Sequence, residues 1–284
     1  YSSYEDDCSQ VDFLLGGIGT GNISVGARGQ LRNWEIFGTA GKGNYMPNGF
    51  FAIWAKPENE QPAYRVLESR LKPPFPKARG FVDYEVAGLP RFERAVCQGK
   101  YPFFQVDFLD DSLPYEVSME SFTPFIPLNA EDSGLPAAIL RYRVKNRTDR
   151  PMKVSVAGSI SNMTSLIKYD KHTWENYQSA DEGVNDYREN GAVRGLYFRP
   201  KTLDDASLYY GTMALTTTHK DTSYKRAWLS GGWWDGLQDM WDDFTEDGRL
   251  EAESLYTQKD VDWLYPDLTG SLALHQELSA YEEK

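Results

Sequence analysis

The feature that most limits the folds open to this chain is a strict alternation of apolar and polar residues. Within residues 137–146 the apolar side chains share one face and the basic ones the other, with Ile139 as the exception. A period of two is typical of a half-buried β-strand. The apolar face comprises Ala138, Leu140, Tyr142 and Val144, and the basic face comprises Arg141, Arg143 and Lys145.

A second alternating run, Met152–Ile160, follows directly after a short polar stretch that Pro151 closes. A polar turn between two alternating runs predicts an antiparallel hairpin. Turn residues also separate the other strand-like runs, as in a sandwich of two sheets. Those runs are Gly49–Ala55, Ala63–Ser69, Gly80–Ala87, Phe103–Leu109, Tyr115–Phe122, Ala192–Arg199, Leu208–Thr217 and Gly270–Leu278.

One segment departs from this alternation. Over residues 233–247, apolar residues recur every three or four positions and aspartates fill the remaining face, which predicts a short amphipathic helix ending near Gly248. The polar region Tyr169–Asn190 is predicted to be a long loop or an excursion between strands. Because no repeat or linker-like tract interrupts the chain, we predict one domain over residues 1–284. The expected fold is all-β, a large antiparallel two-sheet β-sandwich with one helix.

Composition excludes several classes of function. The net charge of −12 disfavours nucleic acid as a partner, because a polyanion would be repelled. No apolar stretch approaches the roughly 20 residues that a transmembrane helix needs. The sequence begins at Tyr1 rather than Met, so we expect a processed or trimmed N-terminus from which any signal peptide is missing, and a cytoplasmic and an exported location both stay open. Its two cysteines, Cys8 and Cys97, leave open whether a disulfide forms between them.

Motifs for metal, cofactor or nucleophilic chemistry are missing from the sequence. His172, His219 and His275 are too far apart to share a metal-ligand spacing, and no GxSxG motif occurs, so we expect no metal, no cofactor and no catalytic triad. The glycine cluster of residues 16–21 has the wrong spacing for a dinucleotide loop and precedes a strand-like run, 22–26, rather than a helix. It is interpreted as backbone that another element approaches closely.

Other polar motifs have ordinary structural explanations. Four aspartate doublets, at residues 6–7, 110–111, 204–205 and 242–243, are interpreted as solvated turn residues. A doublet cannot supply the facing carboxyl pair of a glycosidase, since adjacent strand residues point to opposite faces. Sequons at Asn22, Asn146 and Asn162 permit glycosylation only in a host that modifies secreted proteins.

Several stretches resemble the N-terminal domain of glycoside hydrolase family 116, which includes the non-lysosomal glucosylceramidases. They are Leu15-Gly-Gly-Ile-Gly-Thr-Gly-Asn-Ile-Ser24, Arg28-Gly-Gln-Leu-Arg-Asn-Trp-Glu-Ile-Phe37, Phe50-Phe-Ala-Ile-Trp54, Ser121-Phe-Thr-Pro-Phe-Ile-Pro-Leu-Asn129 continuing to Asp132-Ser-Gly-Leu-Pro136, and Trp241-Asp-Asp-Phe-Thr-Glu-Asp-Gly-Arg249. The resemblance implies a β-sandwich that precedes a catalytic (α/α)₆ barrel in a retaining β-glycosidase acting on O-linked β-glycosides.

The same resemblance implies that both catalytic carboxylates lie in the barrel, so none is assigned in this chain. We expect the chain alone to be inactive and to pack on the barrel as its partner. The candidates for the docking surface or the edge of the substrate cleft are Gly17, Gly19, Thr20, Arg32, Trp34 and Glu35, with a core role favoured for Trp34.

An alternative of another class is a stand-alone carbohydrate-binding or structural sandwich, which the aromatic content of 14% suggests. The chain ends on a charged turn after the run Gly270–Leu278. This ending leads us to expect that the chain is a piece of a larger enzyme. Sugar and aglycone preference and oligomeric state are not encoded in these motifs.

Overall fold

A computed structural model describes residues 2–5, 11–38, 40–42, 46, 48–71, 88–165, 183–207, 210–229, 235–252 and 268–284. Strands dominate these residues, and the two α-helices are short, which confirms the all-β prediction. The described strands form four sheets, in which most of the pairings with a given register are antiparallel, while Ala63–Ser69 pairs in parallel with Arg91–Phe92. The predicted strand Gly80–Ala87 lies outside the described residues.

The chain divides into two compact units. Unit 1 comprises Tyr1–Val154 and Gln276–Lys284, and unit 2 comprises Ser155–His275. Strands β12 (Met152–Ser161) and β17 (Thr269–Leu278) pass from one unit into the other. The remaining elements of unit 1 are β1 (Ser2–Glu5), β2 (Asp12–Leu15), β3 (Asn22–Gly26), β4 (Leu31–Glu35), β5 (Phe50–Pro57), β6 (Ala63–Ser69), β7 (Arg91–Phe92), β8 (Arg94–Lys100), β9 (Phe103–Leu109), β10 (Tyr115–Phe122), α1 (Ala130–Ser133) and β11 (Ile139–Asn146).

Unit 1 contains a five-stranded sheet of order β1-β8-β9-β10-β11 and a three-stranded sheet of order β2-β3-β4. Aromatic residues fill its core, since they bury large areas between facing sheets. Phe92 of β7 contacts Phe108 of β9 with ring centroids 5.2 Å apart, and the Tyr115 ring meets Phe92 edge-on at 6.4 Å. The predicted alternation is present within β11, where Val144 is buried while Arg141 and Arg143 are exposed, whereas Ala138 precedes the strand and is exposed.

The predicted hairpin between β11 and β12 is wrong. β11 pairs with β10, while β12 belongs to a different sheet. The other edge of β11 is covered by the end of the chain, where the Val144 N–H donates to the Lys284 carbonyl at 2.7 Å and the Asn146 N–H to the Glu282 carbonyl at 2.9 Å. Residues 146–151 therefore form a corner between sheets.

The Asn146 side chain fixes this corner. Its amide nitrogen donates to the carbonyls of Arg150 (2.7 Å) and Ser279 (2.9 Å), and its Oδ1 accepts from the N–H and hydroxyl of Thr148, both at 2.8 Å. Asn162 and Thr164 form the same local arrangement in unit 2. Both asparagines are buried, so these two sequons serve as turns that no glycan can reach in the folded chain.

Substitution of Asn146 by Ala should lower the free energy of unfolding by about 3 kcal/mol, because the buried Asn146 side chain makes four hydrogen bonds and the carbonyls of Arg150 and Ser279 lose their donor. Urea unfolding of the purified chain measures the change. Asn190→Ala is the matched control, since Asn190 is exposed, and it should change stability by less than about 0.5 kcal/mol. Equal effects of the two substitutions would show that the corner does not depend on Asn146.

Unit 2 contains the elements β13 (Gly183–Asn190), β14 (Val193–Pro200), β15 (Met213–Thr217), β16 (Thr222–Lys225) and α2 (Asp235–Asp247), with a 3₁₀ turn at Met163–Ser165. β13 corrects the prediction of a long loop or excursion over Tyr169–Asn190, of which residues 169–182 lie outside the described chain. This polar strand is held by pairing with β14 along its whole length. The strand has no apolar face, and contacts of its polar side chains with the neighbouring strand stabilise it instead. For example, the guanidinium carbon of Arg188 lies 3.8 Å from the centre of the Tyr197 ring on β14.

The predicted helix over 233–247 is confirmed as α2, with residues 233 and 234 outside the described chain. Phe244 and Trp241 are buried as expected, and Met240 joins them. Two aspartates of α2, predicted to lie on its solvent-exposed face, instead approach a buried lysine. Lys225 of β16 is buried, with its side chain 2% exposed, and its Nζ lies 3.1 Å from Asp243 and 3.5 Å from Asp239.

Candidate functional site

The loop between β2 and β3 contains the first three predicted site residues. Gly17 is buried, and a Cβ there would lie 2.5 Å from the carbonyl of Gly134, so only glycine allows this approach. Gly19, with a φ of 74°, forms the exposed tip, where an added Cβ would meet no atom within 4 Å. The Thr20 hydroxyl donates back to the Gly17 carbonyl at 3.0 Å. The sequence correctly predicted close backbone approach at this cluster.

The other three predicted site residues lie on β4. Arg32 forms an ion pair with Asp12 at 3.2 Å. Trp34 is 8% exposed and belongs to the core, as favoured from the sequence. Glu35 accepts from Lys42 at 2.7 Å and from Asn22 at 3.2 Å, and these hydrogen bonds hold the pKa of its carboxyl below the usual value.

The six residues therefore belong to one small sheet but separate into two groups. Asn22 pairs with Glu35, which places Glu35 at the end of the sheet from which the glycine loop projects. Gly19 and Thr20 are exposed at that end. Trp34 packs inward, and the side chain of Arg32 is occupied by its ion pair. Of the six, Gly19 and Thr20 are the ones exposed to a partner, since Gly17 is buried and the Glu35 carboxylate is held by Lys42 and Asn22.

Ser133 joins the glycine loop to the segment that follows β10. The Ile18 N–H donates to the Ser133 carbonyl at 2.9 Å. The buried Ser133 hydroxyl donates to the Ile126 carbonyl at 3.0 Å and accepts from the Ile126 N–H at 2.9 Å. The Gly16 N–H also donates to the hydroxyl of Thr123 at 2.9 Å. These bonds hold two loops side by side in a fixed arrangement.

The two loops and the adjoining strand ends carry exposed apolar side chains, which we call the apolar face. Tyr101 and Phe125 meet with ring centroids 5.1 Å apart, and Phe103 lies 5.3 Å from Phe122. Phe122 in turn pairs across strands with Ile139. A group of exposed apolar residues of this size marks an interaction surface. Its exposed members are Ile18, Tyr101, Phe103, Phe125, Ile126, Leu128, Leu135 and Ile139.

Leu128 is the most exposed member of the apolar face, at 109% of its reference area. Its φ of 67° places it in the left-handed region, which leucine rarely adopts. A fully exposed apolar side chain on strained backbone has no stabilising role within the chain itself. Strain of this kind is retained mainly where the residue serves a function.

The stretch Phe125–Asn129 is part of the resemblance to the family, but the sequence did not assign it to a functional site. The available signal was its composition, since Phe125, Ile126 and Leu128 fall in a Pro-containing loop rather than in an alternating strand. Loops are normally polar, so an apolar loop indicates a surface that another body covers.

The two histidines among the described residues are joined by a hydrogen bond from one ring to the backbone of the other, and serine hydroxyls hold the second ring. His219 Nε2 lies 2.6 Å from the His275 carbonyl oxygen, and the ring nitrogens of His275 each contact a serine hydroxyl at 2.8 Å, Ser155 at Nδ1 and Ser223 at Nε2. Sequence reasoning had placed no serine beside a histidine. Burial lowers the pKa of His275 to about 4. This neutral, buried group acts as a structural link between strands.

The aspartate doublets differ in burial and in ion pairing. Asp204 and Asp205 are exposed turn residues, as predicted. Asp110 is instead buried against Arg65 at 3.3 Å, and Asp243 against Lys225, while residues 6 and 7 lie outside the described chain. Across the described ranges, no group of three His, Cys, Asp or Glu side chains is arranged to hold a metal ion. Within those ranges no helix has the length and hydropathy to cross a membrane.

The described residues of this all-β chain thus present a rigid, exposed apolar face suited to contact with another body. Residues 13–284 match the family described as beta-glucosidase 2, glycosyl-hydrolase family 116 N-term. Because the match extends over nearly the whole sequence, the chain belongs to this family of N-terminal domains. The resemblance seen in the sequence is thereby confirmed.

Proposed function

We propose that this chain is the non-catalytic N-terminal domain of a retaining β-glycosidase, and that it docks on the catalytic barrel of the same enzyme. The observation that carries the proposal is the apolar face, whose side chains are exposed and whose two loops are held rigid by the Ser133 hydrogen bonds. The chain belongs to a family of N-terminal glycosidase domains, and this membership indicates which body would cover the apolar face: a catalytic domain encoded in the same protein.

The chemistry of the face agrees with a protein partner. Its core is aromatic and aliphatic and its edge carries charge, as in stable domain interfaces. Arg141 lies over the Phe122 ring at 5.4 Å and pairs with Glu120 at 2.8 Å on the exposed side. The glycine loop projects beside this face, so Gly19 and Thr20 would meet the partner through backbone and hydroxyl groups.

Under this proposal the whole enzyme hydrolyses a β-linked glycoside, and this domain contributes the fixed surface on which the barrel sits. The six residues predicted from the sequence then have separate roles. Gly17 sets the close approach of the two loops, Gly19 and Thr20 contact the barrel, and Glu35 braces the base of the loop through Asn22. Arg32 and Trp34 support the sheet from within.

The alternative is a stand-alone carbohydrate-binding module that uses exposed aromatic rings. A sugar-binding surface needs rings that present flat faces toward the ligand. Here Tyr101 and Phe125 meet at 71° and Phe103 and Phe122 at 48°, so neither pair presents a common plane. Calorimetric titration with β-linked gluco-oligosaccharides tests this alternative, and heat that disappears in Phe103→Ala would favour it over docking.

Hydrogen–deuterium exchange tests the docking proposal on the protein as it occurs in the enzyme. The loop Thr123–Gly134 should exchange much more slowly in the intact enzyme than in the 284-residue chain alone. The turn at Pro57–Glu60, which contains no member of the apolar face, serves as the internal control and should exchange equally in both. Equal exchange of the loop in both proteins would contradict docking through this face.

The catalytic part of the proposal has its own assay. The isolated chain should not hydrolyse 4-nitrophenyl β-D-glucoside, because both catalytic carboxylates are assigned to the barrel. The intact enzyme under the same conditions provides the positive control. Turnover by the isolated chain, retained through purification, would place catalytic groups in this domain and overturn the assignment.

A further inference from the structure

A cavity of about 340 Å³ opens at the edge of unit 1 beside β6 and β7. Its position is fixed by backbone hydrogen bonds, from the Val66 N–H to the Pro90 carbonyl (2.8 Å) and from the Arg70 N–H to the Phe92 carbonyl (3.1 Å). The volume lies in the range of small-molecule sites. The described lining residues are Arg65, Arg70, Leu71, Leu89, Pro90 and Arg91.

Three of the lining side chains are guanidinium groups, in a chain whose net charge is −12. Arg65 pairs with Asp110 at 3.3 Å, and Arg91 pairs with Glu68 at 3.1 Å. Arg28 adds a further contact to the same Glu68 at 3.5 Å. Counted over the described residues, these four arginines and two carboxylates carry a net charge of +2, opposite to the chain as a whole.

Arg70 differs from the other arginines of this group. Its side chain is exposed, and its guanidinium has no ion-pair or hydrogen-bond partner among the described residues. Arg65 and Arg91 are instead oriented by their carboxylates, which fixes two guanidinium groups at the cavity wall. Two guanidinium groups held in place, with the exposed guanidinium of Arg70 beside them, are suited to binding an anion from solution.

We propose that this cavity binds a phosphate monoester, with a phosphorylated sugar as the class of ligand. A phosphate monoester carries about −1.5 to −2 charges at neutral pH, which matches the excess positive charge of the group. Guanidinium groups bind phosphate oxygens in a bidentate geometry. The apolar walls, Leu71, Leu89 and Pro90, would contact the carbon skeleton of the ligand. The proposal does not depend on docking to the barrel.

Isothermal titration of the chain with glucose 6-phosphate, at low ionic strength, tests the proposal, with inorganic phosphate and glucose as comparison probes. Glucose 6-phosphate should bind, inorganic phosphate more weakly and glucose not at all. Arg70→Gln should weaken glucose 6-phosphate binding by about tenfold, and Arg70→Lys by less, since it keeps the charge. Arg143→Gln is the control, because Arg143 is an exposed arginine that does not line the cavity.

Two results would overturn the proposal. If glucose 6-phosphate does not bind the chain, or inorganic phosphate binds at least as tightly, the cavity is not a phosphate-monoester site. If Arg143→Gln weakens binding as much as Arg70→Gln does, the attraction comes from overall charge rather than from the cavity. Thermal unfolding of each variant shows whether the fold is kept, and the exposed position of Arg70 makes a folding defect unexpected.

Discussion

Replacement of Lys225 by Met should lower the free energy of unfolding by about 3–5 kcal/mol, because it leaves two carboxylates of α2 without their cation. Lys225 is buried, and its Nζ approaches both Asp239 and Asp243 from β16. The two aspartates are four residues apart and so lie on one face of the helix. The ion pairs therefore fix the rotation of α2 against the strand. Denaturant unfolding at pH 7 measures the loss.

The triple variant Lys225→Met, Asp239→Asn, Asp243→Asn provides the control. It removes the charges together, so much of the lost stability should return, since replacing a whole buried ion group costs less than breaking it. Gln238→Met tests whether any change on the helix has the same effect, and a change below about 1 kcal/mol is expected at this position. If Lys225→Met alone has little effect, the ion pairs do not hold the helix.

The sequence predicted the strands best where one face is apolar and the other is polar. The bounds of β6, β9 and β10 were predicted to the residue, and in β9 and β10 buried side chains alternate with more exposed ones along the whole strand. β13 was missed because its stability comes from pairing with β14 and from polar cross-strand contacts, which leave no apolar period in the sequence. The periodicity of apolar residues therefore predicts which side chains are buried, but it does not predict which strands pair.

Strand partners were harder to predict than strands. The β11–β12 hairpin was inferred from a short polar turn, yet the Asn146 side chain makes that turn a corner. The competing partner for β11 is the distant segment Glu282–Lys284. Separation in sequence hides such a pairing, since a single chain gives no signal of contacts between remote segments.

The candidate site was predicted in part. Close backbone approach at the glycine cluster followed from the absence of side chains, and the structure shows it at Gly17. The apolar face could not be predicted as one surface, because its members come from four separate segments that only the fold brings together. The buried partners of Asp110 and Asp243 were missed for the same reason.

Leu128→Asn should weaken the association of this chain with the catalytic barrel by about tenfold while leaving the chain as stable or more stable. The lost contact is one fully exposed leucine side chain, which would be buried only in the complex. Asparagine tolerates the left-handed backbone better than leucine does, so strain at a φ of 67° decreases and the free energy of unfolding rises by up to about 1 kcal/mol. Opposite changes in stability and association distinguish a docking residue from a structural one.

Tyr281→Asn is a closely matched control. Tyr281 is also an exposed apolar residue in unit 1, at 64%, and its φ of 59° places it in the same backbone region. It lies in the turn at Ser279–Glu282, away from the residues that define the apolar face. The substitution should relieve strain in the same way without changing association.

The most direct test of the docking account is the dissociation constant between each chain variant and the separately produced catalytic barrel, measured by surface plasmon resonance alongside urea unfolding of the same samples. The account predicts that Leu128→Asn binds about tenfold more weakly than the unmodified chain, and that Tyr281→Asn binds equally well. Equal binding by Leu128→Asn, or an equal loss in both variants, would contradict docking through the apolar face.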